Sequence, residues 1–103
     1  MPDTTPAFIV IAEFAAPLAN RGEFLELCAF DGERSVADEP GCQQFDVNTS
    51  DDSPETVVLY EVYDGKAAFN EHLTMPHYAT FAAGVERLSV TTIGVRFLNR
   101  QFA

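Results

Sequence analysis

The 103 residues weigh 11.3 kDa, one domain's worth of chain and too little for two of ordinary size. Six Lys and Arg against sixteen Asp and Glu leave a net charge of −10, so the clustered positive charge that nucleic acid or an anionic membrane surface demands is missing. No stretch approaches the roughly 18 apolar residues of a membrane span and Met1-Pro2-Asp3 lacks the basic start of a secretion signal, which sets the expectation of a cytoplasmic protein with neither nucleic-acid nor membrane partners.

Residues 1–6 read as a short flexible tail ahead of a single domain. Phe8 to Phe14 is β-branched and aromatic and is stopped by Pro17, as suits a central strand covered on both faces. Asn20 with Glu23 resembles a capping box, after which Phe24, Leu27 and Cys28 recur at helical spacing, so a helix is predicted from Arg21 to Ala37. Asp31 falls where that apolar face continues, which is unusual; it either lines a cavity mouth or drifts into water. Glu39-Pro40-Gly41 ends the helix. Cys42 to Thr49 alternates, with Gln43, Phe45 and Val47 on one face, and reads as a half-exposed strand that turns through Ser50–Glu55 into a second strand, Thr56 to Tyr63. Asp64 is expected to cap a short helix over Lys66 to Leu73, and Thr74-Met75-Pro76 to start another running to about Leu88. Thr91 to Leu98 is the last strand. Cys28 and Cys42 lack metal-ligand spacing and read as free buried thiols, with a disulfide between them the lesser alternative.

Strand, helix, strand, strand, broken helix, strand is the order of a ferredoxin-like split βαβ α+β fold with a four-stranded antiparallel sheet. Helices cover one face of such a sheet, and a second copy of the chain is the economical cover for the other, so a homodimer is expected.

His72 and His77 are the only histidines, five positions apart across Pro76. A proline-broken helix can turn both toward one cavity, where an imidazole takes a proton from a phenol or from a carbon beside a carbonyl. The plainer alternative for His77 is a bond to Thr74 or to solvent. Glu61 shares a strand face with Val57, Leu59 and Tyr63, so it is either an enclosed carboxyl that acts as base or orients a histidine, or an interface residue bonded to arginine. Glu13 permits the same two readings. Arg96 either holds a substrate oxyanion or pairs with a carboxylate across a dimer seam. Phe45, Tyr63, Phe69, Tyr78 and Phe81 are candidate walls of an aromatic-binding pocket as well as candidate core, and the Tyr78 hydroxyl is placed to donate to a substrate carbonyl. No metal-ligand cluster and no dinucleotide-binding glycine motif is evident, so the expectation is a reaction without metal or cofactor.

Three strings in order, Ala37-Asp38-Glu39-Pro40-Gly41-Cys42-Gln43-Gln44-Phe45-Asp46-Val47, Val58-Leu59-Tyr60-Glu61-Val62-Tyr63 and Glu71-His72-Leu73-Thr74-Met75-Pro76-His77-Tyr78, resemble the antibiotic biosynthesis monooxygenase family. The resemblance implies a dimeric α+β barrel with a small-molecule pocket between sheet and helices. It implies chemistry of one of several kinds: cofactor-independent oxidation of a quinol or phenolic aromatic by dioxygen, isomerisation or breakdown of a small autoinducer-type hydroxy-dione, or haem degradation, from whose relatives this chain departs in having no tryptophan. It also matches His72 and His77 to family histidines. A non-enzymatic dimer that binds a small aromatic or carbonyl compound remains a further alternative.

Overall fold

The structure, a computed structural model, describes residues 6–103. The expected tail, residues 1–6, lies outside the described residues save for Pro6. Strand β1 (Phe8–Ala15) leads through a 3-10 turn (Leu18–Asn20) into helix α1 (Arg21–Asp38). Strands β2 (Cys42–Thr49) and β3 (Thr56–Tyr63) follow, then helices α2 (Lys66–His72) and α3 (Pro76–Arg87), and strand β4 (Thr91–Asn99). All pairings are antiparallel in the order β2-β3-β1-β4, the ferredoxin-like arrangement, with the first strand central.

Apolar burial organises the helical side. Helix α1 buries Phe24, Cys28, Asp31, Gly32 and Ser35, a stripe at i, i+4, i+7, i+8 and i+11 that lies against the sheet. Phe24 meets Phe14 edge-on and Phe81 at a tilt, joining α1, β1 and α3 in one aromatic cluster. Gly84 on α3 allows the close approach of α1, since a Cβ there would collide with Leu27. Helix α3 then closes at Ser89, whose φ of 57° is left-handed without being glycine, with the Val90 amide donating back to the Val85 carbonyl.

Three local expectations fail for physical reasons. The Asn20 side chain does not cap α1; its Nδ2 donates instead to the Leu88 carbonyl, while Glu23 accepts from Arg87 on α3, so both tie α1 to α3. Neither Asp64 nor Thr74 caps a helix: the N-cap positions are Gly65 and Met75, Asp64 accepts from Gln43, and the Thr74 hydroxyl donates to the Glu71 carbonyl. Strict alternation in β2 breaks at a bulge between Cys42 and Gln44. The extra residue puts Cys42, opposite Tyr63, and Phe45, opposite Glu61, on the same core-facing side.

Candidate active site

Two strands and two helix breaks converge beneath the sheet. A cavity of about 290 Å³ lies between the helical layer and the strands, its walls apolar where Val10, Ala12 and Phe14 of β1, Leu59 of β3, and Phe81 and Val85 of α3 meet it. That volume is at the low end for small-ligand sites, sized for a compact ring. Its polar groups are few: Asp31, Glu61, His72, Tyr78 and Thr92, with no lysine or arginine in the lining.

The organising contact is one the sequence did not announce. Glu39, the residue closing α1, is buried, and its Oε2 accepts from His72 Nδ1 at 2.9 Å and from His77 Nε2 at 2.5 Å. The break at Leu73-Thr74-Met75 ends α2 and restarts α3, which is what lets both rings turn inward onto one carboxylate. Pro40 forces Glu39 out of helical geometry (φ −108°, ψ 109°), so its backbone leaves the helix at that residue. With both imidazoles donating to Glu39, His72 must be the Nδ1–H tautomer. Its Nε2 then carries a lone pair, on the side of Asp31 Oδ2 at 4.0 Å.

Burial sets the protonation of this cluster. His72 is walled by Tyr63 and Tyr78, with ring centroids at 5.4 and 5.3 Å, and desolvation holds its pKa below the ordinary histidine value despite the attraction of Glu39. At neutral pH it is therefore an uncharged base. Asp31 is 1% exposed; desolvation first, then the charges of Glu61 and Glu39, push its carboxyl up to about 8. Glu61 is pushed up to about 7 by burial, against the opposing effect of the Tyr63 hydroxyl, which donates to its Oε1 at 2.5 Å. Tyr78 is raised by burial and by the same acids, so its hydroxyl stays a donor.

Not every candidate reaches the cavity. His72, Glu61, Tyr78 and Phe81 line it. His77 is buried behind Glu39, neither bonded to Thr74 nor facing solvent. Tyr63 is fully buried and meets the site at Glu61 and against the His72 ring without lining the cavity; Phe45 packs over Gly32 and beside His72 but lines a separate groove between α1 and β2. Arg96 is paired with Ile11 on the sheet face opposite Val95, is exposed and does not line the cavity. Glu13 is likewise exposed. Glu61 bonds a tyrosine rather than an arginine or a histidine. Asp31, instead of drifting into water, completes the buried stripe of α1.

Asp31, His72 and His77 also offer one metal-ligand atom each within 4.8 Å of one another. Ligands held about 2.1 Å from a single ion lie at most about 4.2 Å apart, so the set would have to contract around an ion, and Glu39 already occupies His77 Nε2. The arrangement suits proton transfer better than coordination.

The sequence profile of the antibiotic biosynthesis monooxygenase family matches residues 7–84. The chain belongs to that family. A curated relative from Mycobacterium tuberculosis, described as "Putative monooxygenase Rv0793", is 37% identical over 60 residues, 58% of either chain, so the alignment spans little more than half of that relative's length. The solved structure of the same mycobacterial protein superposes with a TM-score of 0.82 at 28% identity, covering 94% of this chain and 97% of that one. A Deinococcus radiodurans family protein, described as a "putative antibiotic biosynthesis monooxygenase", gives 0.85 at 19% identity over 93% and 94%, which speaks to the fold alone.

Within this family member, Glu39→Gln tests the bridging carboxylate. Two charge-assisted hydrogen bonds, each worth about 1.5 to 3 kcal/mol, are set against relief of its repulsion with the ionised fraction of Glu61. The bonds win, and urea unfolding should show a loss of about 2 kcal/mol.

Proposed function

We propose that the protein is a monooxygenase that oxidises a small quinol or phenolic ring with dioxygen, using His72 as the base and no resident cofactor. The observation that carries the reading is the free Nε2 lone pair of a neutral, buried imidazole, held in that tautomer by Glu39 and facing an apolar cavity of ring size. The substrate hydroxyl passes its proton to Nε2, and Glu39 stabilises the imidazolium formed. The resulting anion is electron-rich enough to give an electron to dioxygen, and the two radicals combine through a ring carbon–oxygen bond. Loss of the ring C–H proton then breaks the O–O bond. One oxygen stays as a carbonyl, the other takes up the ring C–H proton and the proton held on His72 and leaves as water, and the ring has supplied every electron.

The competing hydroxy-dione chemistry would use the same base, but a phosphorylated substrate would meet Asp31 and Glu61 in a lining without lysine or arginine. Oxygen uptake over a panel of quinols and anthrone-like phenols decides between them. The expected result is uptake matched to ring consumed, one labelled oxygen atom in the product, and no change after dialysis against a chelator. Turnover of a hydroxy-dione without uptake would replace the reading, and binding without turnover would make the protein a binding module.

The working unit is a homodimer on this reading. Strand β4 is exposed along its whole length, with Ile93 at 57% and Phe97 at 54%, and its Thr92 and Val95 form the open side of the cavity. A second copy covering β4 would bury this apolar edge and shut out water. Light scattering should give twice the chain mass at micromolar concentration, and Val95→Glu should return it to one.

A further inference from the structure

The described residues bury three carboxylic acids, Asp31, Glu39 and Glu61, and no lysine or arginine. Glu39 is paired with two imidazoles and Glu61 with a tyrosine. Asp31 has neither kind of partner: its Oδ1 is buried without a hydrogen bond, the neighbouring Ser35 hydroxyl donates to the Asp31 backbone carbonyl at 2.6 Å and favours the charged carboxyl only weakly against its burial, and the residue lines the cavity. Leaving a buried carboxylate unpaired is costly, and the low-cost solution is to keep it as the neutral acid. A neutral acid has an O–H to donate. It stands 4.0 Å from His72 Nε2, too far for a bond between them. Two hydrogen bonds of about 2.8 Å that meet at one oxygen, at about 90° or slightly more, span about 4 to 4.6 Å. One substrate oxygen therefore fits between, donating to His72 and accepting from Asp31.

We propose that Asp31 is a second catalytic residue, a hydrogen-bond donor that grips the substrate oxygen opposite His72, stabilises it as it becomes anionic, and restricts the site to uncharged hydroxyl-bearing rings. The idea rests on the monooxygenase reading for its reaction but not for its binding geometry. An anionic substrate is rejected because its charge would enter beside Glu39 and Glu61 with no cation to answer it. The groups around Asp31 are Glu39, Glu61, His72, His77, Ser35, Tyr78 and Cys28. The first two hold its proton on, and Cys28, itself pushed up to about 12 by burial and by Asp31, adds no charge at neutral pH.

Calorimetric binding of two near-isosteric probes, 4-hydroxybenzamide and 4-hydroxybenzoate, tests this without any turnover. At pH 6.5 the neutral amide should bind at least tenfold more tightly than the carboxylate. Asp31→Asn, which keeps a neutral donor, should hold amide affinity within about threefold, whereas Asp31→Ala should lose tenfold or more. As pH rises from 6.5 to 8.5 the wild type should weaken more than Asp31→Asn, whose loss should track only ionisation of the probe's own phenol. Equal affinities for the two probes, or equal losses in the two variants, overturn the proposal. Should the Ala variant fail to fold, the pH dependence of wild type against Asp31→Asn still decides. A protein that binds the amide as described yet consumes no oxygen would sink the monooxygenase reading and leave the gripping role intact.

Discussion

His72→Ala is expected to slow quinol-dependent oxygen uptake by two to four orders of magnitude, the usual worth of a positioned general base. No other imidazole can substitute, because His77 is buried behind Glu39 and does not border the cavity. Truncating a buried ring also opens a void and strips Glu39 of one partner, so a lower rate alone would be ambiguous. His72→Asn separates the effects. Its amide nitrogen can take the place of Nδ1 and keep the bond to Glu39, but it cannot accept a proton. Uptake by His72→Asn should fall as far as in the alanine variant, while its melting temperature stays nearer to wild type. His77→Ala, acting only through Glu39, should cost about tenfold and shift the pH profile of the rate. Wild-type uptake in His72→Asn would remove the imidazole from the chemistry.

How much of this was legible in the chain depends on the range over which each signal acts. The eight-residue strand β3 matches its predicted bounds, and α1 ends one residue beyond its own, because periodicity, Pro40 and the Ser50–Glu55 turn are local. Glu61 was readable as an enclosed carboxyl because its strand neighbours Leu59 and Tyr63 are apolar and strand parity fixes its face. Asp31 carried a readable anomaly, an acid in an apolar stripe, although the sequence alone left water as an equal destination. Glu39 did not stand out as functional. Its partners lie 33 and 38 residues away, and within its own segment it is only the residue before a helix-ending proline. The caps failed for the same reason in reverse: Asn20 and Asp64 have good local capping chemistry, but Leu88 and Gln43, far along the chain, compete for them. Phe45 and Tyr63 were correctly aromatic and inward, yet a bulge and a hydroxyl-to-Glu61 bond place them as supports around His72 and Glu61 rather than as cavity walls.

Stability should fall as pH rises from 6.5 to 8, opposite to the trend of a protein held together by ionised carboxylates. Asp31 titrates near 3.8 when unfolded and at about 8 when folded, so the folded state holds a proton that the unfolded state has already released. Its contribution is complete below the unfolded pKa and is lost as pH rises through the folded one. Glu61, raised from 4.5 to about 7, acts in the same direction and is spent earlier. His72 has the opposite sign: its folded pKa lies below 6.5, so its contribution is full above 6.5 and is lost on acidification. Above pH 6.5 the histidine is therefore flat and the two acids dominate. One proton of difference is worth about 1.4 kcal/mol per pH unit, so Asp31 alone costs about 2 kcal/mol across this window. For a domain of this size, that lowers the melting temperature by about 10 °C. Asp31→Asn carries no proton to lose and should flatten most of the decline, with Glu61→Gln removing the part nearest pH 7. Melting curves at pH 6.5, 7.25 and 8 for the three proteins measure it; a wild type as stable at pH 8 as at 6.5 would mean that Asp31 is ionised in the fold. Such an Asp31 would have to be ionised beside Glu39 and Glu61, with the nearest ring nitrogen, that of the neutral His72, 4.0 Å away and no buried lysine or arginine among the described residues.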